Sequence, residues 1–351
     1  MKKLTIGHVN LARGFRGGER QTELLISELA KLGHSQYLLC RKSSKLASDL
    51  SQTTNLKVIE VDRFLDIRLN GHGALKSCDI IQAHEARAAQ WAYLHHLLYK
   101  TPFVLTRRVP EAVRTSFLNR RIYSSASAAV SISQSIARYL EQTFKIESPV
   151  IPSACAHFHL NEKFVSELHE KFRDKFVVGH VGALVDKHKG QTVLIDAARR
   201  LCRDIPNLLI LFVGSGPDLS VLQEKGKDIK DHLAFTGFVN NVADYIHAMD
   251  VFAYPSNYEG LGSVLLDVME QGVPIVATAV DGIPDIIKDK KTGLLINQGD
   301  SLALAKAILL IKNDRQLRSK LIDGGQREAQ AHSPENMAAS YQELYNRILG
   351  A

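Results

Sequence analysis

The chain has 351 residues, of which 45% are apolar and 23% charged, and it carries a net charge of +7. This is ordinary globular composition for about two domains, and it excludes disordered, collagenous and low-complexity architectures. No run of 18 apolar residues occurs, so no membrane-spanning helix is expected. Met1-Lys2-Lys3 does not read as the start of a signal peptide, because His8, Asn10 and Arg13 break the apolar stretch behind it. Cys40, Cys78, Cys155 and Cys202 are far apart and form no CxxC, so reduced thiols in a cytoplasmic protein are expected.

Strand-like apolar runs alternate with amphipathic helical stretches along the chain. In the first half the runs Leu4–Val9, Gln36–Cys40, Lys57–Val61, Asp79–Ala83, Phe103–Thr106 and Ala128–Ile132 predict strands. Helices are expected over Gly18–Leu32, Ala86–Leu98, Ser116–Ser125 and Ser133–Phe144. The pattern restarts with strands at Phe176–Gly182, Leu208–Val213, His232–Thr236, Val251–Tyr254, Ile275–Thr278 and Leu294–Ile296. Helices fall between these, at Gln191–Cys202, Asp218–Glu224, Val242–Ala248 and Ser263–Gln271. Helical stretches at Leu302–Lys312, Asp314–Ala331 and Glu335–Leu349 follow. Such alternation makes a parallel sheet covered on both faces, and two series predict two doubly wound α/β domains. The expected division is residues 1–160, a linker at 161–175, a second domain at 176–332 and a C-terminal helix at 333–351 that packs back towards the first domain. In open α/β sheets ligands bind beyond the carboxyl ends of the strands, so a ligand is expected where two such domains face a cleft.

Charge is unevenly divided. Residues 1–150 hold 22 Lys and Arg against 12 Asp and Glu, a balance of +10, while residues 151–351 hold 22 against 25, a balance of −3. A basic first half points to an anionic partner: a phosphorylated substrate, a membrane surface or nucleic acid.

The most informative stretch runs from Val251 to Thr278. A buried strand ends at Pro255, a loop carries Glu259, and Gly260-Leu261-Gly262-Ser263 lead into a helix that stops at Gly272-Val273-Pro274. The glycines let a ligand approach the backbone, and the helix start offers unpaired N–H groups for an anion. Glu259 and Asp267 are eight residues apart, and both can face one bound molecule.

This stretch resembles the Glu-x7-Glu signature of the GT-B retaining glycosyltransferases of family four, over some 25 positions. The resemblance implies that Glu259 lies by the donor sugar and that Asp267, one methylene shorter than the usual Glu, binds the nucleotide ribose. Val178–Gly190 resembles the family's Val-Gly-Arg-Leu segment. Lys189 then falls where it would neutralise the donor diphosphate, and the usual Arg falls on Ala183, an absence that Lys187 would offset. Gly214 and Gly216, in Val213-Gly-Ser-Gly-Pro217, would line the nucleotide pocket. Phe238 and Val239, in Thr236-Gly-Phe-Val239, would pack the base, while Asp281–Ile287 completes the family's ending and Asp285 there is expected to be structural. In the first half, Gly17-Gly18-Glu19 resembles the family's Gly-Gly-x-Glu, whose glycines approach the donor phosphates; Glu19 itself is expected on the acceptor side. Asp79–His84 resembles a strand that leaves His84 at the cleft, and Arg108 takes the place of the family's sugar-contacting His. His84 and Arg108 join Glu259 as expected catalytic residues.

Arg107, Arg114, Arg120 and Arg121 share a segment with Phe117, Leu118, Ile122 and Tyr123. Basic residues interleaved with apolar ones suit an anionic membrane surface or the phosphates of a lipid-linked acceptor. The resemblance implies transfer of a hexose from a nucleotide diphosphate sugar, UDP-sugar favoured, with retention by front-face attack. The acceptor is expected to be an envelope glycan such as a lipopolysaccharide core, and the enzyme peripheral at the cytoplasmic face of the membrane. No Asp-x-Asp occurs, so no metal or other cofactor is expected. The rival readings are a nucleotide-sugar epimerase on the same plan, which would need carboxylates suited to elimination, and a basic nucleic-acid-binding protein, for which no binding motif is present.

Overall fold

Strands buried on both faces read as continuous apolar runs, because helices cover a parallel sheet on each side. Both halves of the chain fold accordingly in a computed structural model that describes residues 3–62, 67–110, 113 and 115–350. The chain divides into two units, residues 1–156 with 332–351 and residues 157–331.

In unit 1, strands β1 (Thr5–Asn10), β2 (Ser35–Arg41), β3 (Leu56–Val61), β4 (Ile80–Ala83), β5 (Phe103–Arg107) and β6 (Ala128–Ser131) form one parallel sheet in the order β3-β2-β1-β4-β5-β6. In unit 2, β7 (Phe176–Val181), β8 (Leu208–Val213), β9 (Leu233–Phe235), β10 (Val251–Tyr254), β11 (Ile275–Thr278) and β12 (Leu294–Ile296) form a second, in the order β12-β11-β10-β7-β8-β9. The two topologies are the same doubly wound plan. The order reverses between β1 and β4 in one unit and between β7 and β10 in the other, and the loops at the carboxyl ends of those strands are where a ligand docks in such a sheet. Register fixes which residues reach those ends: Val9 pairs with Ala83, and Phe252 with Gly179.

Two expectations need correction. The segment 161–175 is not a bare linker: Glu162–Lys171 is a helix, capped by Asn161, whose side chain accepts the Phe164 N–H at 3.2 Å. Its apolar stripe is short, Val165 and Leu168 buried and Phe164 half-buried against Tyr245, so its composition reads as polar. The second correction concerns the segment 107–123. Ile122 and Tyr123 face the interior of unit 1, while Phe117 and Leu118 are 75% and 46% exposed.

The helix Pro334–Leu349 is part of the unit 1 core. Met337, Ala338, Tyr341, Leu344 and Tyr345 pack with Ile6, Leu25, Ile80, Val104 and Val130. Its two tyrosines also close a buried polar network. Tyr345 donates to Gln82 Oε1 at 2.8 Å, Gln82 Nε2 donates to Thr106 Oγ1 at 2.9 Å, and Thr106 Oγ1 lies 2.7 Å from the Tyr341 hydroxyl.

Candidate active site

In unit 2 the loops after β7 and β10 are joined backbone to backbone. A Cβ on Gly190 would stand 2.1 Å from the Pro255 carbonyl oxygen, and Gly190 has φ +62°, so only glycine fits there. The Asn257 N–H donates to the His188 carbonyl at 2.8 Å. Gly214 and Gly216 owe their identity to packing: a Cβ at either would stand within 2.1–2.3 Å of the carbonyl oxygen of Gly182 or Leu184. These two glycines press the β8 loop against the β7 loop.

Between the joined loops stands a charged triad. Lys189 Nζ donates to Glu259 Oε2 at 2.5 Å and to the Tyr254 hydroxyl at 2.8 Å, and Tyr254 donates to the same Glu259 oxygen at 2.6 Å. Lys189 closes the short helix Asp186–Lys189, Tyr254 is the last residue of β10, and Glu259 follows in the loop. Burial disfavours the Lys189 ammonium, but Tyr254 and Glu259 outweigh it and hold its pKa above the ordinary lysine value. Burial, then the charge of Glu259, pushes the Tyr254 phenol up as well, so Tyr254 stays neutral and Glu259 supplies the countercharge. Sequence reasoning missed Tyr254, because a Tyr in an apolar run reads as core.

The Glu259 backbone is held from a second side. Asp281, with φ +46°, accepts the Glu259 N–H at 2.8 Å through Oδ2. Gly262, at φ +82°, leaves room for the Glu259 side chain: a Cβ there would lie 3.3 Å from Glu259 Cγ. Gly260 and Leu261 are buried, and Ser263 precedes the helix Val264–Glu270, whose first turn carries the half-buried Asp267. Lys187 and Phe238 are exposed, and Val239 is half-buried beside the turn at Gly237. Below the loops His180 is fully buried. Its Nδ1 donates to the Ala253 carbonyl at 3.0 Å, which leaves Nε2 to accept from Gln191 Nε2 at 3.4 Å.

Unit 1 brings His84, Arg108 and the start of the helix Gly17–Lys31 together. His84 follows β4, is 2% exposed, and lies 3.1 Å through Nε2 from His8 Nδ1. The Arg108 stem runs beside the helix start, where a Cβ on Gly18 would stand 3.6 Å from its Cδ. Glu19, expected on the acceptor side, is buried and accepts the Arg16 N–H at 2.9 Å as a helix cap. Arg107 ends β5 beside the Tyr123 hydroxyl. Arg120 and Arg121 are exposed, and the Arg121 guanidinium stacks 5.1 Å from the Phe117 ring centre. Arg114 lies outside the described residues.

Two Rossmann-like units of the same doubly wound topology make up the fold. Residues 162–328 match the family "Glycosyl transferases group 1", and residues 15–154 match "Glycosyltransferase Family 4". The chain belongs to the group 1 glycosyltransferases of the family-four type. Among its relatives, the lipopolysaccharide core biosynthesis glycosyltransferase LpsE of Rhizobium meliloti is 26% identical over 88% of this chain and 89% of its own length. The capsular polysaccharide biosynthesis glycosyltransferase CapM of Staphylococcus aureus is 28% identical over 54% of this chain, which spans about half of CapM. The fold is shared with HepE of Anabaena, solved in complex with UDP, at a TM-score of 0.84, 20% identity, and coverage of 98% of this chain and 100% of that one.

Proposed function

We propose that this chain transfers a sugar from a nucleotide diphosphate, UDP in the first place, to a lipid-linked or envelope glycan, with retention and without a metal. Unit 2 takes the donor and unit 1 the acceptor. The observation that carries the reading is the Lys189–Tyr254–Glu259 triad at the switch point of unit 2. An ammonium held charged there offsets the charge that grows on the leaving diphosphate, and a carboxylate beside it receives donor-sugar hydroxyls. Glu259 is thus a ligand of the sugar and of its developing positive charge, not a covalent nucleophile. Asp267 accepts from the ribose hydroxyls. LpsE and CapM act in envelope polysaccharide biosynthesis by their names, and HepE was solved with UDP, which supports both donor and acceptor class.

The test is a thermal-shift panel of UDP, GDP, ADP and their sugar conjugates. A ligand at about 100 times its Kd stabilises by about 2.7 kcal/mol, well within reach of the method. UDP and a UDP-sugar are expected to raise Tm with and without EDTA. No shift from any nucleotide overturns the donor assignment, and inverted product stereochemistry by NMR overturns retention.

A further inference from the structure

The inner end of unit 1 fixes the proton positions on two buried histidines. Gln36 Nε2 donates to the Ile26 carbonyl at 3.0 Å, so Gln36 Oε1 accepts, and it lies 2.9 Å from His8 Nε2. His8 therefore carries its proton on Nε2 and offers the Nδ1 lone pair, which must receive the proton of His84 Nε2 at 3.1 Å. By elimination His84 Nδ1 presents a lone pair. It is buried and meets no partner among the described residues. Arg108 lies close enough for its charge to bear on His84, and its Nε and Nη2 are likewise shut from solvent without a partner among the described residues. Those two nitrogens form one side-on edge of the guanidinium, the fork that takes two oxygens of a carboxylate or phosphate in parallel. Buried polar groups in a folded protein are paired with few exceptions, and three orphans in one corner call for a ligand that supplies both chemistries.

We infer that unit 1 holds a receptor for an anionic sugar, with Arg108 gripping a phosphate or carboxylate through Nε and Nη2 and His84 Nδ1 accepting from a neighbouring hydroxyl. This deepens the proposed function and rests on it, by naming the acceptor as a phosphorylated or acidic sugar. The same anion chemistry could come instead from the donor diphosphate, and the experiment separates the two.

Calorimetry on the full chain uses glucose, glucose 6-phosphate, glucuronate and inorganic phosphate, each with and without saturating UDP. Glucose 6-phosphate or glucuronate is expected to bind at least tenfold tighter than glucose, with UDP present or absent. Arg108→Met should abolish that preference, and Arg108→Lys should restore only part of it, because an ammonium lacks the fork. His84→Phe should weaken glucose 6-phosphate more than inorganic phosphate. Arg108→Met should leave the binding of UDP unchanged, whereas an arginine that only supports the fold would on removal weaken every ligand together. Equal binding of glucose and its anionic forms overturns the inference, as does a preference that survives Arg108→Met. One-for-one competition by UDP also overturns it, assigning the anion to the donor. Absence of UDP binding with the anion preference intact overturns the donor reading alone.

Discussion

Lys189 and Glu259 stand 70 residues apart in the chain and 2.5 Å apart in space, the ammonium of one against the carboxylate of the other. Both side chains are largely shielded, so each is the other's principal countercharge. Glu259→Ala is expected to lower transfer about 100-fold or more, and to cost about 3 kcal/mol of stability because it strands a buried ammonium. Adding Lys189→Met should return most of the stability and none of the activity. Urea unfolding and turnover of the two variants check this, and a double variant no more stable than the single would refute the pairing.

Asp281 holds the backbone of Glu259 from a left-handed conformation that glycine adopts at no steric cost. Asp281→Gly is therefore expected to change stability by less than about 1 kcal/mol while kcat falls about tenfold, because the carboxylate of Glu259 loses its fixed position. Asp281→Asn, which tolerates the same backbone and keeps an acceptor oxygen, should restore most of the rate. A glycine variant with wild-type kcat would show that the contact positions nothing.

Burial lowers the pKa of both His8 and His180 to about 4, with smaller contributions from their neighbours. The unfolded chain takes up these protons near pH 6.5 and the native chain does not. Stability is thus full above pH 6.5 and falls as pH drops towards 4, by about 1.4 kcal/mol per pH unit for each histidine. Urea midpoints at pH 7.5 and pH 5 measure the slope, and His180→Gln should reduce it by the share of one histidine. Equal midpoints would exclude the effect.

Tyr345→Phe removes the donor to Gln82 Oε1 and leaves that oxygen buried without it. The expected cost is about 1–3 kcal/mol, from desolvation without a hydrogen bond. Denaturant titration reads this directly, and a neutral substitution would mean that the network adds nothing to unit 1.

Exposed Phe117 and Leu118 beside Arg120 and Arg121 give unit 1 an amphipathic edge. Each basic residue near an anionic surface contributes about 1 kcal/mol, and the attraction fades as salt shortens the Debye length. Co-sedimentation with anionic liposomes is expected to fall when Arg120 and Arg121 are changed to Glu, and to fall again in 1 M salt. Equal recovery with neutral and anionic liposomes would rule out attachment through this edge.

The inner strands were legible because a strand buried on both faces is apolar nearly throughout: Leu208–Val213 has no polar residue. Their register was not, and the partnerships that matter depend on it. His8 reads in the sequence as a break in an apolar stretch. Only the alignment of β1 with β2 and β4 gives it Gln36 on one side and His84 on the other. Tyr254 was hidden for the same reason, since its ring belongs to the core while its hydroxyl reaches Lys189 and Glu259. Ile122 was assigned to the wrong face because a helix of nine residues with arginines on one flank leaves its apolar stripe ambiguous. Glu259 and Asp267 stood out because glycines and a helix start surround them, a local signal that needs no register.

The helix Pro334–Leu349 lies in the core of unit 1, while the intervening residues 157–331 make a unit of their own. Unit 2 is thus continuous in sequence and unit 1 is not. A ribosome releases all six strands of unit 1 long before it releases Tyr341 and Tyr345, which sit 235 and 263 residues beyond their partners Thr106 and Gln82. Until then the core cluster of Ile80 and Val104 lacks Met337, Ala338, Tyr341, Leu344 and Tyr345, and unit 2 has every residue it needs to fold first. The nascent chain therefore holds an open apolar face for the time taken to translate a whole domain, the interval in which a chaperone would have its longest claim on it.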